Sequence, residues 1–380
     1  MARARKGHKY VSGLLTFSLI LLLFLLATFV GAIFSYTYVK HARENFNNPK
    51  PIYIPTDKQM IIDIPRGSGT DSIAKALEKN GLIKYPQLFK ILSKINGFDG
   101  HYQSGSHIVS KDLSYDELMI VLKSDPELVR LMFPEGLNSL QIYDMLANSQ
   151  LTHGKEIMAY VESRDSVFDY SFLEAAGVHE GQETRDIYLD RPDRLEGYLF
   201  PDTYDFDLNA TPKQIIDTFL INFGKKLTPE YYEQAEAMGM TIDDVINLAS
   251  LIEREAKNED ERFLVSGVFH NRLSGENSDV RRLQSCASIQ YIFYQRNGYM
   301  LQRISDADTR VADPYNTYLH EGLPPGPICN PGISAINAAL YPEQTDYYFF
   351  VSKGDGTHVF SKTYEEHQAA ILEFGLNLMP

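Results

Sequence analysis

From Tyr10 to Val39 the chain carries no charged residue, and Leu14 to Phe34 is rich in Leu, Phe and Ile. At roughly 1.5 Å per residue, 24 or so helical residues reach about 36 Å, enough to cross a bilayer with some tilt. Arg3, Arg5, Lys6 and Lys9 precede the run, while Lys40 and Arg43 follow it. Lys and Arg are retained on the cytoplasmic side, so residues 1–9 are expected inside and the rest of the chain outside. A cleaved signal peptide has an apolar region of only about 7–15 residues. The run is therefore read as an uncleaved single-pass anchor over 10–39, with the bulk of the chain in the extracytoplasmic space.

Residues 1–33 hold four of the 36 basic residues and none of the 50 acidic ones, which leaves 32 against 50, a net charge of −18, for the remainder. Such a body is repelled by nucleic acid and by anionic lipid, so no nucleic-acid partner is expected, whereas a largely sugar-based polymer is compatible with it. The ten histidines form no His-Glu-x-x-His and the two cysteines no Cys-x-x-Cys, so neither a metal nor another cofactor is expected. Cys286 and Cys329 are too few for a disulfide-built scaffold. Outside the membrane they can pair or stay separate, and spacing leaves both open.

Residues 40–58, with Asn47-Asn48-Pro49-Lys50-Pro51 and Pro55, read as a linker. An internal repeat follows. Ile61-Ile-Asp-Ile-Pro65-Arg-Gly67 leads into Ile73, Leu77, Leu82 and Phe89; shifted by 69 residues, Arg130-Leu-Met-Phe-Pro134-Glu-Gly136 leads into Ile142, Leu146, Leu151 and Met158. Each copy predicts a short strand, a Pro-x-Gly turn and an amphipathic helix. The first copy continues through Phe98 to Lys123, where Ser114-Tyr115-Asp116-Glu117 can cap another helix. This unit, residues 59–124, resembles a LysM-like module, a small fold that grips N-acetylated glycans. The second copy, within 125–187, reads as a repeat or connecting region.

Beyond Tyr188 a helix is predicted at 212–224, and Thr241 with Asp244 caps another, on which Val245, Ala249, Ile252 and Ala256 share one face. Glu259 to Leu273 forms the next helix. Asp346–Lys353 and Thr357–Lys362 flank Gly354-Asp355-Gly356 as a hairpin, before a helix at 363–376. The fold class is thus α+β: a single transmembrane helix, a small LysM-like module and a mixed α+β domain over 188–380.

Within that domain stand Glu196-Gly-Tyr-Leu-Phe-Pro-Asp-Thr-Tyr204, Leu248-Ala-Ser-Leu-Ile-Glu-Arg-Glu255, Val268-Phe-His-Asn-Arg-Leu273, Tyr315-Asn-Thr-Tyr318 and Gly322-Leu-Pro-Pro-Gly-Pro-Ile328, then Asn330-Pro-Gly332. In this order the blocks resemble the MltG/YceG-like family of membrane-anchored endolytic transglycosylases of bacterial peptidoglycan. The resemblance implies a lyase that cleaves the N-acetylmuramic acid–β-1,4–N-acetylglucosamine bond of nascent glycan strands. It leaves 1,6-anhydro ends, terminates elongation, and works beside the cell-wall synthesis machinery. It assigns the acid/base to Glu253.

The residues agree with that position: Glu253 follows Ile252 and has Ala249 and Ala256 as helical neighbours, so its carboxyl lies at the edge of an apolar stripe and can stay protonated near neutral pH. Glu255 projects elsewhere, as a solvated partner for Arg254 or Lys257. Glu196 is either a second acid or a hydrogen-bonding brace. Gln284 and Asn316 can bind acetamido and hydroxyl groups or fix loops, and Tyr198, Tyr315 and Tyr318 can stack on sugars or fill the core. Where the family pattern has Leu-Gln-Ser-Asp this chain has Leu283-Gln284-Ser285-Cys286, so no aspartate role carries over. A hydrolytic muramidase and a non-catalytic glycan-binding tether stay as alternatives.

Overall fold

The apolar run forms the middle of one long helix, α1 (Ala2–Asn47), in a computed structural model that describes residues 2–47, 52–163, 166–175, 193–277 and 279–374. Phe17–His41 is long and apolar enough to cross a membrane, and no part of its apolar window is buried within the protein. The helix runs past the start of the expected linker to Asn47. Between Lys40 and Asn48 the sequence has neither Gly nor Pro to end it, and the following module grips its end. The Tyr38 hydroxyl donates to Asp116 Oδ1 at 3.0 Å, and the Phe46 ring meets Phe98 edge-on at 5.1 Å.

The chain divides into two units, Met1–Leu128 and Val129–Pro380. In the first, β1 (Met60–Ile64) is followed by α2 (Thr70–Lys79), α3 (Pro86–Asn96), β2 (Gly105–Val109) and α4 (Tyr115–Lys123). The strands pair antiparallel, with Ile62 opposite His107 and Ile64 opposite Gly105. Ile62 and Ile64 point inward on the two-residue period of a strand and meet Ile73, Leu77, Phe89 and Leu118 in one core. Ser114 and Glu117 form the reciprocal cap at the start of α4 that their spacing predicts.

The second unit contains β3 (Leu128–Met132), α5 (Ser139–Ala147), α6 (Ile157–Glu162), α7 (Ser171–Ala175) and β4 (Thr203–Asp207). It continues with α8 (Pro212–Lys226), α9 (Pro229–Ala237), α10 (Ile242–Glu255), α11 (Glu259–Leu273) and α12 (Cys286–Asn297). The chain then forms α13 (Ile333–Leu340), β5 (Phe349–Ser352), β6 (His358–Ser361) and α14 (Tyr364–Glu373). The two copies of the repeat use their strands differently. In the first, β1 pairs with a strand of its own module; in the second, β3 pairs with β4, beyond α7, and Arg130 clasps Asp205 through two bonds of 2.6 and 2.7 Å. The second copy is thereby built into the larger unit.

Helix α10 is the centre of that unit. Thr241 and Asp244 cap it as their spacing predicts. The expected apolar stripe is buried, but so are Ile246, Asn247, Leu248, Ser250 and Leu251 on the remaining faces. Periodicity underestimates the burial because two polar positions find partners inside the protein: Asn247 Nδ2 donates to Pro324 O at 2.7 Å while its Oδ1 is left without one, and the Ser250 hydroxyl donates to Asn247 O at 2.7 Å. The small residues Ala335, Ala338 and Ala339 on α13 let that helix approach α10 closely.

The predicted hairpin forms with Phe350 opposite Phe360 and Ser352 opposite His358. It is joined to α11 by Asn271, whose amide donates to Thr345 O and Tyr347 O, both at 2.8 Å. Gly267 on α11 leaves no room there: a Cβ would stand 2.3 Å from Glu343 O and 2.9 Å from Thr345 Cγ2. Gly267→Ala is expected to destabilise the fold by about 1–3 kcal/mol, read as a lower urea midpoint at unchanged slope.

Candidate active site

Glu253 sits near the C-terminal end of α10, one residue past the last fully buried position, with its side chain 6% exposed. Two groups hold its carboxylate. Arg262 Nη2, from the first turn of α11, donates to Oε1 at 2.8 Å, and the Gly332 N–H donates to Oε2 at 3.1 Å. Arg262 is itself 5% exposed; its Nε reaches Ala256 O at 3.4 Å and its Nη1 lies 3.6 Å from Glu135 Oε2. Burial pushes the Glu253 carboxyl above the usual carboxylate range, against the pull of Arg262, the Gly332 N–H and Arg254, with the Glu135 charge adding to the rise. The result is a carboxyl fixed in direction at both oxygens and biased toward its protonated form.

Glu135 is the residue that sequence reasoning overlooked. It belongs to the Pro134-Glu135-Gly136 turn, is 42% exposed, and lies directly against Gly332, where a Cβ would stand 1.9 Å from its Oε1. The repeat held a signal: the first copy has Arg66 at this position, so the reversal of charge separates the two turns. Arg262 was missed because nothing in its local pattern distinguishes it from a solvated helix arginine.

The loop that delivers Gly332 is fixed by Asn330, which is wholly buried. Asn330 Oδ1 accepts from Leu199 N at 2.8 Å, its Nδ2 donates to Leu137 O at 3.0 Å and to Glu196 Oε1 at 3.2 Å, and its carbonyl accepts from Gly136 N at 3.0 Å. Gly197 lets the 196–199 turn close on the proline-rich loop. Its φ is +92°, and a Cβ would lie 2.6 Å from Pro327 Cγ.

Several residues named from the sequence turn out to build this frame. Glu196 is 2% exposed and accepts from Ser139 N at 3.0 Å at the start of α5; burial, then the nearby Asp193, push its carboxyl well up. Tyr198 is fully buried between Phe172 and Phe223, with its hydroxyl donating to Asp243 at 2.5 Å. Tyr315 is buried against Tyr291 at 5.1 Å. Asn316 donates to Thr309 O at 3.0 Å and to Val311 O at 2.7 Å and accepts from Tyr318 N at 2.9 Å. None of these four presents an open face to a ligand. Glu255 also differs from expectation: its Oε1 accepts from the Ser285 hydroxyl at 2.5 Å and from Ala287 N at 3.3 Å, so it closes the N-terminus of α12.

Gln284 and Tyr318 do keep accessible surface. Among the described residues Gln284 is the sole non-glycine with positive φ, +49°. Its turn is held there because Gln284 N donates to Thr317 O at 3.1 Å, Ser285 N donates to Thr317 Oγ1 at 2.9 Å, and buried Arg272 donates to Leu283 O. Cys286 and Cys329 are free thiols with separate partners: Cys286 Sγ lies 3.0 Å from the Tyr318 hydroxyl, and Cys329 Sγ donates to Ser250 O at 3.3 Å. The open choice between a disulfide and separate thiols falls to the latter.

A family model described as the YceG-like family matches residues 62–373. The chain belongs to the YceG-like family. Its relatives include an endolytic murein transglycosylase of Streptococcus pneumoniae serotype 2, 30% identical over 370 residues that cover 93% of this chain and 64% of the relative. Another endolytic murein transglycosylase, from Bacillus subtilis, is 30% identical over 327 residues, covering 84% of this chain and 86% of that one. This YceG-like chain thus spans about two thirds of the length of the streptococcal relative and most of the Bacillus one. A crystal structure of a YceG-like protein from Listeria monocytogenes superposes with a TM-score of 0.53 at 28% identity, over 83% of this chain and 99% of that chain.

A left-handed backbone at a non-glycine residue costs about 1–2 kcal/mol and persists where the surrounding structure holds it. In this YceG-like chain, Gln284→Gly is therefore expected to leave stability unchanged or raise it by about 1 kcal/mol, measured by thermal unfolding, while lowering whatever activity depends on the amide.

Proposed function

We propose that this chain is a single-pass, membrane-anchored endolytic transglycosylase of peptidoglycan, a lyase that cuts nascent strands between N-acetylmuramic acid and N-acetylglucosamine and so ends their elongation. The observation that carries the reading is the buried Glu253 carboxyl, held at both oxygens and raised toward its protonated form. It stands in a chain whose relatives are named endolytic murein transglycosylases. Glu253 gives its proton to the glycosidic oxygen as the bond from the muramoyl C1 to that oxygen breaks. The resulting carboxylate takes the proton of the muramoyl 6-hydroxyl, whose oxygen bonds to C1 and closes the 1,6-anhydro ring. No water is consumed, and one group serves as acid and base. Intramolecular attack supplies the proximity that a second catalytic carboxylate would otherwise have to organise.

Gln284 and Tyr318 are assigned to sugar contact because they keep accessible surface beside the Leu283–Cys286 turn. Glu196, Tyr198, Tyr315 and Asn316 are assigned to holding the frame. The order strand, helix, helix, strand over residues 60–109 supports the reading of the first unit as a LysM-like module. The basic residues ahead of the span support an N-terminus in the cytoplasm and a catalytic unit outside. The same reading places the protein beside the cell-wall synthesis machinery.

Glu253→Gln keeps size and polarity but cannot shuttle a proton. Cleavage of un-crosslinked strands is expected to fall about 10²–10⁴-fold. Mass spectrometry of wild-type products is expected to show internal cuts with 1,6-anhydro ends; reducing ends would identify a hydrolase, and uncut strands a tether.

Glu135 is assigned to tuning Glu253. The groups facing Glu253 are Arg262 from α11, Arg254 from α10, Glu135 from the 134–136 turn and Cys329 ahead of α13. Of these, Glu135 carries the negative charge that favours the protonated acid. Glu135→Gln removes that charge, so Glu253 loses its proton at lower pH. The alkaline limb of the kcat/KM profile is expected to move to lower pH in this variant, with the acidic side of the profile retained.

A further inference from the structure

Helix α3 is amphipathic in an unusual sense, because both of its sides are apolar. Phe89 faces the core of the first unit, while Leu88, Ile91 and Ile95 on the outer side are each between 42% and 55% exposed. Tyr85, 55% exposed just ahead of the helix, extends the same stripe at three- to four-residue spacing. Single exposed apolar residues are ordinary, but a continuous stripe along one helix face indicates something that covers it.

Charge and position identify the cover. From Gly81 to Phe98 the chain has Lys84, Lys90 and Lys94 and no acidic residue, although the chain beyond the anchor is strongly acidic. Lys90 is taken by Asp71 at 2.6 Å, whereas Lys84 and Lys94 form no ion pair among the described residues. The C-terminal end of α3 is also tied to the anchor. Asn96 Nδ2 donates to the Tyr38 hydroxyl at 3.3 Å and to Asp116 Oδ1 at 3.0 Å. Tyr38 lies inside the Phe17–His41 span, close to its end, and Tyr36 beside it is 71% exposed. Tyrosines of this kind sit at headgroup level, where apolar ring and polar tip are both satisfied.

We propose that α3 is an interfacial helix: Tyr85, Leu88, Ile91 and Ile95 rest in the headgroup region of an anionic bilayer next to the anchor, with Lys84 and Lys94 meeting lipid phosphates. An apolar stripe flanked by lysines is the pattern of helices that lie in a membrane surface. The acidic remainder is repelled by the same surface, so the basic patch decides which side of the module turns toward the lipid. The proposal rests on the single-span reading of α1.

The test uses the full chain in nanodiscs, on a Cys286→Ser background that leaves Cys329 as the buried native thiol. A fluorophore is placed at Leu25→Cys in the span or at Ile91→Cys on α3, and lipids spin-labelled deep in the chain or near the headgroup serve as quenchers. With phosphatidylglycerol present, the label at 91 is expected to be quenched by headgroup-labelled lipid. Lys84→Gln with Lys94→Gln, and discs of phosphatidylcholine alone, are each expected to reduce that quenching. Quenching at 25 with none at 91 overturns the proposal and leaves the stripe to a protein or glycan partner. Absence of quenching at 25 overturns the anchor itself.

Discussion

The buried amide of Asn330 joins parts of the chain that are nearly 200 residues apart. It accepts from Leu199, donates to Leu137 and Glu196, and its own carbonyl receives Gly136. A buried amide with all its groups satisfied fixes geometry closely, because losing one partner strands another polar group away from water. Two residues on, Gly332 presents its N–H to Glu253. The orientation of the acid therefore depends on the same knot that closes the 196–199 turn and the 134–137 turn.

Around Glu253 the fold sets burial against an ion pair. Burial favours the protonated carboxyl, and the Arg262 charge favours the carboxylate. The two oppose one another, and Glu135 draws on Arg262 from the other side at 3.6 Å. On the proposed mechanism, in which Glu253 both gives and receives a proton in one turnover, such a balance keeps either state from being trapped. Glu261, the residue before Arg262, accepts from His358 N–H at 3.2 Å and lies 2.7 Å from its Nδ1. The C-terminal hairpin thus steadies the turn of α11 from which Arg262 reaches inward.

Local rules in the sequence captured the elements well. The caps of α4 and α10, the limits of α11 and the turn glycines of the hairpin all follow from short-range spacing. The position of Glu253 beside Ile252 was also legible, because burial follows helical period. What spacing could not show were contacts made across the chain: Arg262 and Glu135 meeting at Glu253, or Tyr198 turning inward onto Phe172 and Phe223. The sequence left the motif tyrosines open between sugar-stacking and core, and the fold places Tyr198 and Tyr315 in the core. A tyrosine in a motif carries no mark of which way it faces, and only the packing of α7 and α8 decides it.

The continuation of α1 to Asn47 has a mechanical consequence. Tyr38 hydrogen-bonded to Asp116 and Phe46 packed on Phe98 hold the end of α1 against the first module at two points. On the proposed single-span reading, a helix turning about its own axis in the bilayer turns the module with it, like a key on its shaft. On that reading, whatever fixes the azimuth of the span, whether another transmembrane helix or the lipid around it, also sets the compass bearing of the first module.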